Sequence, residues 1–209
     1  CRRRRFALLL GCLRRDEAGR LYNSALLISP EGAVRWYDKR HLVPFGEFVP
    51  LRSVLGALPQ LRRIGQFSAG RRPGLLRLGG VQLGVLICYE AIFPRMARRL
   101  AVGGARLLVN ITDDAWFGRT SAPHQHLWLA AARAGETGLP LVRAANTGIS
   151  AVVDPRGRPR KLLPAFTGGV LVDTIELPAR PSVYARTGDL LPYLSALAIC
   201  GALLPRRSS

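Results

Sequence analysis

Val81–Phe93, VQLGVLICYEAIF, is the stretch on which the reading of this chain turns. An apolar run from Val81 to Ile87 stops abruptly at Cys88-Tyr89-Glu90. Bounded in front by Gly79-Gly80, such a run predicts a strand buried on both faces. Pro94 then opens a helical pattern, PRMARRLAVGG, with proline in the first turn and glycine past the end. Cys88 is thereby placed at a strand-to-helix junction, where a side chain is held rigidly at the rim of a sheet and where nucleophiles are found in other strand–nucleophile–helix turns. A buried core cysteine fits the same segment, because free cysteine is among the most buried residue types.

Working outward, Leu75–Leu78 and Val81–Ile87 predict a hairpin over Gly79-Gly80. In front of it, Phe6–Leu13, Tyr22–Ile28 and Ala33–Tyr37 read as three strands joined by the polar turn Arg14–Arg20 and by Ser29-Pro30-Glu31-Gly32. The loop after them, Asp38-Lys39-Arg40-His41-Leu42-Val43-Pro44-Phe45-Gly46-Glu47, is dense in ionisable groups, as loops that carry chemistry are. Leu51–Ile64 has leucines at helical spacing with arginines opposite. It reads either as a short packed helix or as a basic amphipathic element on a membrane surface. Behind Cys88, a helix over 94–102, a strand Arg106–Val109, a loop Asn110–Pro123 and a helix over 123–138 are predicted. Strands at Leu141–Ala144, Gly148–Asp154 and Val170–Ile175 follow, the turn Asp154-Pro155-Arg156-Gly157 closing the second of them. Hairpins mixed with helical crossovers predict a mixed sheet with helices packed on it.

With 209 residues, 48% apolar and 21% charged, the chain has enough material for one substantial core and is not of disordered composition. Its net charge of +18 is almost all arginine, the lysines being Lys39 and Lys161. Such a surface attracts nucleic acid and anionic lipid alike, but no nucleic-acid motif accompanies it and no nucleic-acid partner is expected. Cys1, Cys12, Cys88 and Cys200 show no metal-ligand spacing. His124 and His126 do not face each other on a helix, so neither a metal nor a cofactor is expected. Leu190–Leu204 is apolar and uncharged, with Arg206-Arg207 behind it. Fifteen residues is short for a membrane span, which takes about 18 or more, and a helix docked on the core is the alternative.

Lys39, Glu47 and Cys88 stand out chemically, with Glu90 two residues past the thiol. A nearby cation improves a thiol nucleophile and stabilises the oxyanion that follows attack. A carboxylate such as Glu47 holds that cation in place.

The segments YNSALLISPEG, YDKRHLVPFGEFVPL, GVLICYEAIFP, LLVNITDDAWFG, HQHLWLAAARAGETGLPLVRAANTGISAVVDPRG and ARTGDLLP resemble the nitrilase-type domain of the apolipoprotein N-acyltransferase family. That family is a branch of the nitrilase, or carbon–nitrogen hydrolase, superfamily. The resemblance runs from about Leu21 to the C-terminus, and the PFGE-x-VP and AWFG segments are what mark the acyltransferase branch. It implies an α/β fold, a nitrilase-like αββα sandwich with mixed sheets over residues 1–188. A hydrophobic segment with a basic tail, 189–209, follows and is expected to form an apolar transmembrane helix. Residue by residue, it implies Cys88 as the nucleophile that takes an acyl chain as a thioester. Lys39 polarises the acyl carbonyl with help from the backbone N–H after the cysteine. Glu47 and Glu90 are supporting carboxylates, Tyr89 lines the site, and Trp116 and Phe117 are candidates for substrate contact. The implied acyl donor is a phospholipid and the acceptor an apolipoprotein, at the bacterial inner membrane with the catalytic domain facing the periplasm. The family's general-base glutamate lies upstream of the first strands. Asp16 and Glu17 sit in a polar turn and do not fit it, so a truncated and, by itself, inactive chain is expected. The sequence also departs from the family at Asp113, where asparagine is usual. Two rivals stay open: a soluble carbon–nitrogen hydrolase acting on small amides, and a catalytically silent membrane or nucleic-acid binding module.

Overall fold

Period-two alternation in the strand Val81–Ile87 sets the layers. Leu83, Val85 and Ile87 are buried on one face and Leu86 on the other, so this strand has packing on both sides. The structure is a computed structural model and describes residues 6–51, 66–178 and 180–203. The element Leu51–Ile64 falls almost wholly outside the described residues, as does most of the basic stretch Leu51–Arg72.

The first three strands, β1 (Leu8–Arg15), β2 (Leu21–Ile28) and β3 (Val34–Asp38), form an antiparallel meander in the order β1-β2-β3. Six more form a second sheet in sequence order: β4 (Leu75–Leu78), β5 (Val81–Ile87), β6 (Leu107–Asp113), β7 (Leu141–Asn146), β8 (Ser150–Val153) and β9 (Pro159–Leu163). Its centre, β5-β6-β7, is parallel and its outer pairs are antiparallel, which makes the sheet mixed. The parallel pairs require crossovers, and α1 (Pro94–Val102) and α2 (Ala122–Thr137) supply them. A short α3 (Val183–Thr187) and an apolar α4 (Leu190–Leu203) end the described chain.

Two apolar clusters hold these layers together. Ala25, Leu27 and Tyr37 of the small sheet meet Leu76, Leu83, Val85 and Ile87 of the large one. On the far face, Leu86, Leu108, Leu141, Ala151 and Val153 pack under Ala97, Leu100, Ala101, Leu127, Ala130, Ala131 and Ala134 of the helices. Alanine dominates the helix side of this contact and lets the backbones approach closely. Gly84 belongs to the same fit, since a Cβ there would lie 3.0–3.1 Å from Ala105, Leu100 and Leu108. The described layers therefore run helices, six-stranded sheet, three-stranded sheet. Leu8, Val34 and Trp36, on the outer face of the small sheet, are exposed where the expected fourth layer would lie.

One expectation needs correcting. Val170–Ile175 is no strand. Its exposure alternates, but it is tied down through side chains: Lys161 Nζ donates to the Val172 carbonyl (2.5 Å) and lies 3.2 Å from the Asp173 carboxylate. The ladder position is taken instead by β9, PRKLL, whose proline and two cations mark an edge strand and hide the alternation that would announce it. The segment expected to span a membrane corresponds, within the described residues, to α4. It is apolar as expected, and Leu191, Tyr193, Leu197 and Ile199 are exposed along it. Its 14 residues span about 21 Å at 1.5 Å each, against about 30 Å of hydrocarbon. Among the described residues no helix is long and apolar enough to cross a membrane.

Candidate active site

Cys88 follows the last residue of β5 and begins a 3-10 helix, Cys88–Ile92. Its φ of 49° is in the left-handed region, where a residue with a Cβ sits at a cost of about 1–3 kcal/mol. The chain thus turns sharply at the thiol, which is half-buried, while β5 behind it is packed on both faces. Such a conformation persists only where its surroundings over-determine it, and here they do so from two sides.

On one side stands Glu90, fully buried. Its Oε1 accepts from the backbone N–H of Arg40 (2.7 Å) and of His41 (3.0 Å), and its Oε2 accepts from the N–H of Ile87 (2.8 Å). The Tyr37 hydroxyl donates to the same carboxylate at 2.8 Å. Burial, and then the charge of Glu90, push the Tyr37 phenol well above its usual range, so it stays a donor. One side chain thereby ties the loop after β3 to the turn that carries Cys88. Lys39 lies at the head of that loop. Its backbone is pinned at both ends, N–H to the Asn23 carbonyl and carbonyl to the Gly70 N–H, each at 2.8 Å.

The Lys39 ammonium is buried and donates to Glu47 Oε2 at 2.7 Å. Glu47 is fixed in turn by Asn23 Nδ2 on Oε1 and by the Val43 N–H on Oε2, both at 2.8 Å. A buried ion pair is tolerated when its remaining hydrogen-bond capacity is used, and both carboxylate oxygens are used here. Asp38, the neighbour of Lys39, takes a two-pronged bond from Arg14 (2.9 and 2.6 Å) and one from Ser24 (2.7 Å). Burial pushes its pKa up, but the bonds from Arg14 and Ser24 outweigh that and hold it below the usual range. Tyr89 is half-buried, its ring set edge-on to Phe93 at 4.9 Å, and His41 lies over Phe93 at 4.1 Å.

On the other side is a cluster that the sequence reading did not assemble. Arg143 of β7 is buried and donates to Asp114 Oδ2 (2.6 Å), to the Ile149 carbonyl (3.1 Å) and to Asn110 Oδ1. Asn110 of β6 passes the contact on, with its Nδ2 at 3.0 Å from the Leu86 carbonyl and 3.5 Å from that of Cys88. His126 of α2, also buried, places Nδ1 3.0 Å from Asp114 Oδ1 and Nε2 3.2 Å from the Cys88 carbonyl oxygen. Thr112 donates to Asp114 at 2.9 Å. Burial pushes the Asp114 carboxyl up; the hydrogen bond from His126 and the charge of Arg143 more than reverse this and hold it below the usual range. Burial likewise pulls Arg143 down from its ordinary value, while Asp114 opposes the shift. His124, by contrast, is exposed.

Trp116 and Phe117 belong to a 3-10 turn, Ala115–Phe117. Trp116 is 82% exposed, and Phe117 lies edge-on to the His126 ring at 5.9 Å. Asp113 is exposed and accepts from the Ala115 N–H (3.0 Å) and Asn146 Nδ2 (3.3 Å), a turn-closing role. Asp16 holds its own turn by bonding Arg20 and Tyr22.

The profile of the carbon–nitrogen hydrolase family matches residues 1–183. An apolipoprotein N-acyltransferase of Geobacter metallireducens is 46% identical over 191 residues, covering 90% of this chain and 37% of its own length. One of Rhodopseudomonas palustris is 45% identical, covering 90% of this chain and 36% of itself. The chain thus spans little more than a third of the curated relatives it matches. Among solved structures, a mutant amidase from Nesterenkonia sp. AN1, carrying acrylamide added at its active-site cysteine, superposes with a TM-score of 0.65. It is 28% identical, over 93% of this chain and 71% of that one. A carbon–nitrogen hydrolase from Helicobacter pylori G27, 18% identical over 78% of this chain and 59% of that one, shares the fold at a TM-score of 0.62.

Proposed function

Because the chain belongs to the carbon–nitrogen hydrolase family, we propose that Cys88 is an acyl-accepting nucleophile and Lys39 the cation that polarises the acyl carbonyl. The observation that carries this is the Glu90 clamp: one carboxylate holds the Lys39 loop and the Cys88 turn together through three backbone N–H groups. Glu47 keeps the ammonium aimed, and it does so with both oxygens already occupied. Glu90 is equally saturated. With these donors in place, Glu47 and Glu90 serve to position Lys39 and the Cys88 turn.

The proposed reaction is acyl transfer from a phospholipid to the N-terminal amine of an apolipoprotein's diacylglyceryl-cysteine, the activity named for the relatives. The Cys88 thiolate attacks the ester carbonyl, a C–S bond forms, the C–O bond to glycerol breaks, and the lysophospholipid leaves with a proton. The amine then attacks the thioester, a C–N bond forms, the C–S bond breaks and the thiol is restored. A thioester suits two lipid substrates that arrive in turn, because it stores the acyl group in activated form between them. Exposed Trp116, the apolar helix Leu190–Leu203 and the +18 charge fit work beside an anionic lipid surface, the periplasmic face of the inner membrane.

The test is intact-mass and peptide analysis after incubation with phospholipid vesicles at about pH 9, where a free thiol ionises without a base. A hydroxylamine-labile acyl group on Cys88, lost in Cys88→Ala, is the expected result; no adduct on Cys88 would overturn the reading. A second reading, amide hydrolysis with water as acceptor, is favoured by the amidase neighbours. Ammonia released from a small aliphatic amide, with no acyl-Cys88 from phospholipid, would select it.

A further inference from the structure

The cluster Asp114–His126–Arg143 lies behind the nucleophile, and the lysine chemistry makes no use of it. Its one contact with Cys88 is at the main chain: His126 Nε2 is 3.2 Å from the Cys88 carbonyl oxygen. A carbonyl oxygen only accepts, so Nε2 carries the hydrogen. Nδ1 has a partner whichever state the ring is in. It donates to Asp114 Oδ1 (3.0 Å) when protonated and accepts from Arg143 (3.1 Å) when not. The grip on the Cys88 carbonyl therefore does not depend on the charge of the ring. Asn110 lies on the same oxygen at the longer distance of 3.5 Å.

The peptide joining Cys88 to Tyr89 is planar and trans, so its C=O and the Tyr89 N–H point in opposite directions. Drawing the carbonyl toward His126 turns the Tyr89 N–H the opposite way, away from the His126 cluster. The first N–H groups of a helix have no partner within it, and Tyr89 is the second residue of the 3-10 helix Cys88–Ile92. We propose that His126 is a positioning residue: held by Asp114 and Arg143, it sets the plane of the Cys88–Tyr89 peptide and thereby aims the Tyr89 N–H as an oxyanion donor. The inference rests on Cys88 being the nucleophile, and its test separates the two.

Acylation develops an oxyanion and alkylation does not. The chain is treated with p-nitrophenyl butyrate, whose acyl carbon bonds to Cys88 sulfur as nitrophenolate leaves, and separately with iodoacetamide. Modification at Cys88 is read peptide by peptide, with half-buried Cys12 as a sentinel for unfolding. His126→Gln keeps an N–H near the position of Nε2; His126→Asn keeps one near Nδ1 only. The expected result is that His126→Asn acylates about tenfold or more slowly, with alkylation within about twofold of the parent, since a lost oxyanion donor costs about 10²–10³ in other enzymes. His126→Gln recovers most of the acylation rate. Equal rates for the two variants, or parallel losses in acylation and alkylation, would overturn the positioning role. A parent Cys88 no more reactive to either reagent than exposed Cys200 would overturn the nucleophile itself.

Discussion

The two sides of Cys88 are built in different ways. On the Lys39 side, two carboxylates collect donors that are mostly main-chain: Glu90 takes three backbone N–H groups and Glu47 one. Apart from Asn23 of β2, its members lie within two short segments, 37–47 and 87–90. On the His126 side, Asp114 is held by the side chains of Thr112, His126 and Arg143, drawn from β6, α2 and β7. The first arrangement holds the loop that carries Lys39 against the turn that carries Cys88. The second is sealed in the core, where a paired charge is stable only while every partner stays. One side is therefore expected to show its importance in the chemistry, the other in stability.

Substitutions sharpen that contrast. Lys39→Met removes the cation that would meet a developing oxyanion; acylation of Cys88 is expected to fall at least about a hundredfold, measured as in the vesicle assay. Arg143→Met takes the guanidinium from buried Asp114, leaving only His126 and Thr112 on its carboxylate, and is expected to cost about 3–5 kcal/mol in urea unfolding. The double change Arg143→Met, Asp114→Leu recovers much of that loss, because a matched apolar pair has no charge left to solvate. If the single change cost less than about 1 kcal/mol, the idea of a core-sealed second side would be wrong.

Acid separates the two sides further. Asp114 and Asp38 both have folded pKa values depressed below the unfolded value of a carboxyl. Such groups contribute stability that is fully present above the unfolded pKa, near 4, and is lost as pH falls through the lower folded value. Melting temperature is expected to drop below about pH 4, and Asp114→Asn should flatten this acid limb more than Asp38→Asn does, since Asp114 is buried and Asp38 is partly exposed. The smallest effect is expected at Asn23→Ala, which takes one donor from Glu47 Oε1 while the lysine contact stays. A loss of about 1 kcal/mol with Cys88 acylation changed less than about threefold would place Asn23 in support of the pair and outside the reaction.

How far the sequence could be read depended on how local each signal was. The run Val81–Ile87, the proline at 94 and the hairpin over Gly79-Gly80 are short-range patterns, and the structure has them where the pattern puts them. The edge strand Pro159–Leu163 was invisible because an exposed edge needs no apolar face and carries cations instead. Val170–Ile175 looked like a strand because it alternates, yet alternation reports only which side is covered; here a lysine and an aspartate hold the segment. In the sequence His126 stands only beside His124, and adjacency in the chain gives no clue to its buried partners. Its partners Asp114 and Arg143 lie 12 and 17 residues away and on other elements. A signal for them did exist: Asp, His and Arg within otherwise apolar stretches, each needing a buried partner.

What the amino-acid sequence determined by itself is the succession of strands and helices from Leu75 to Val153, the placing of a cysteine at the end of a buried strand, and the ionisable loop that precedes it. Those follow from periodicity and turn chemistry, which act over a few residues. Which charges neutralise one another was decided only when the two sheets and α2 closed around Cys88. Burial makes an unpaired charge or carbonyl costly, and the identity of its partner depends on which elements the packing brings within about 3 Å.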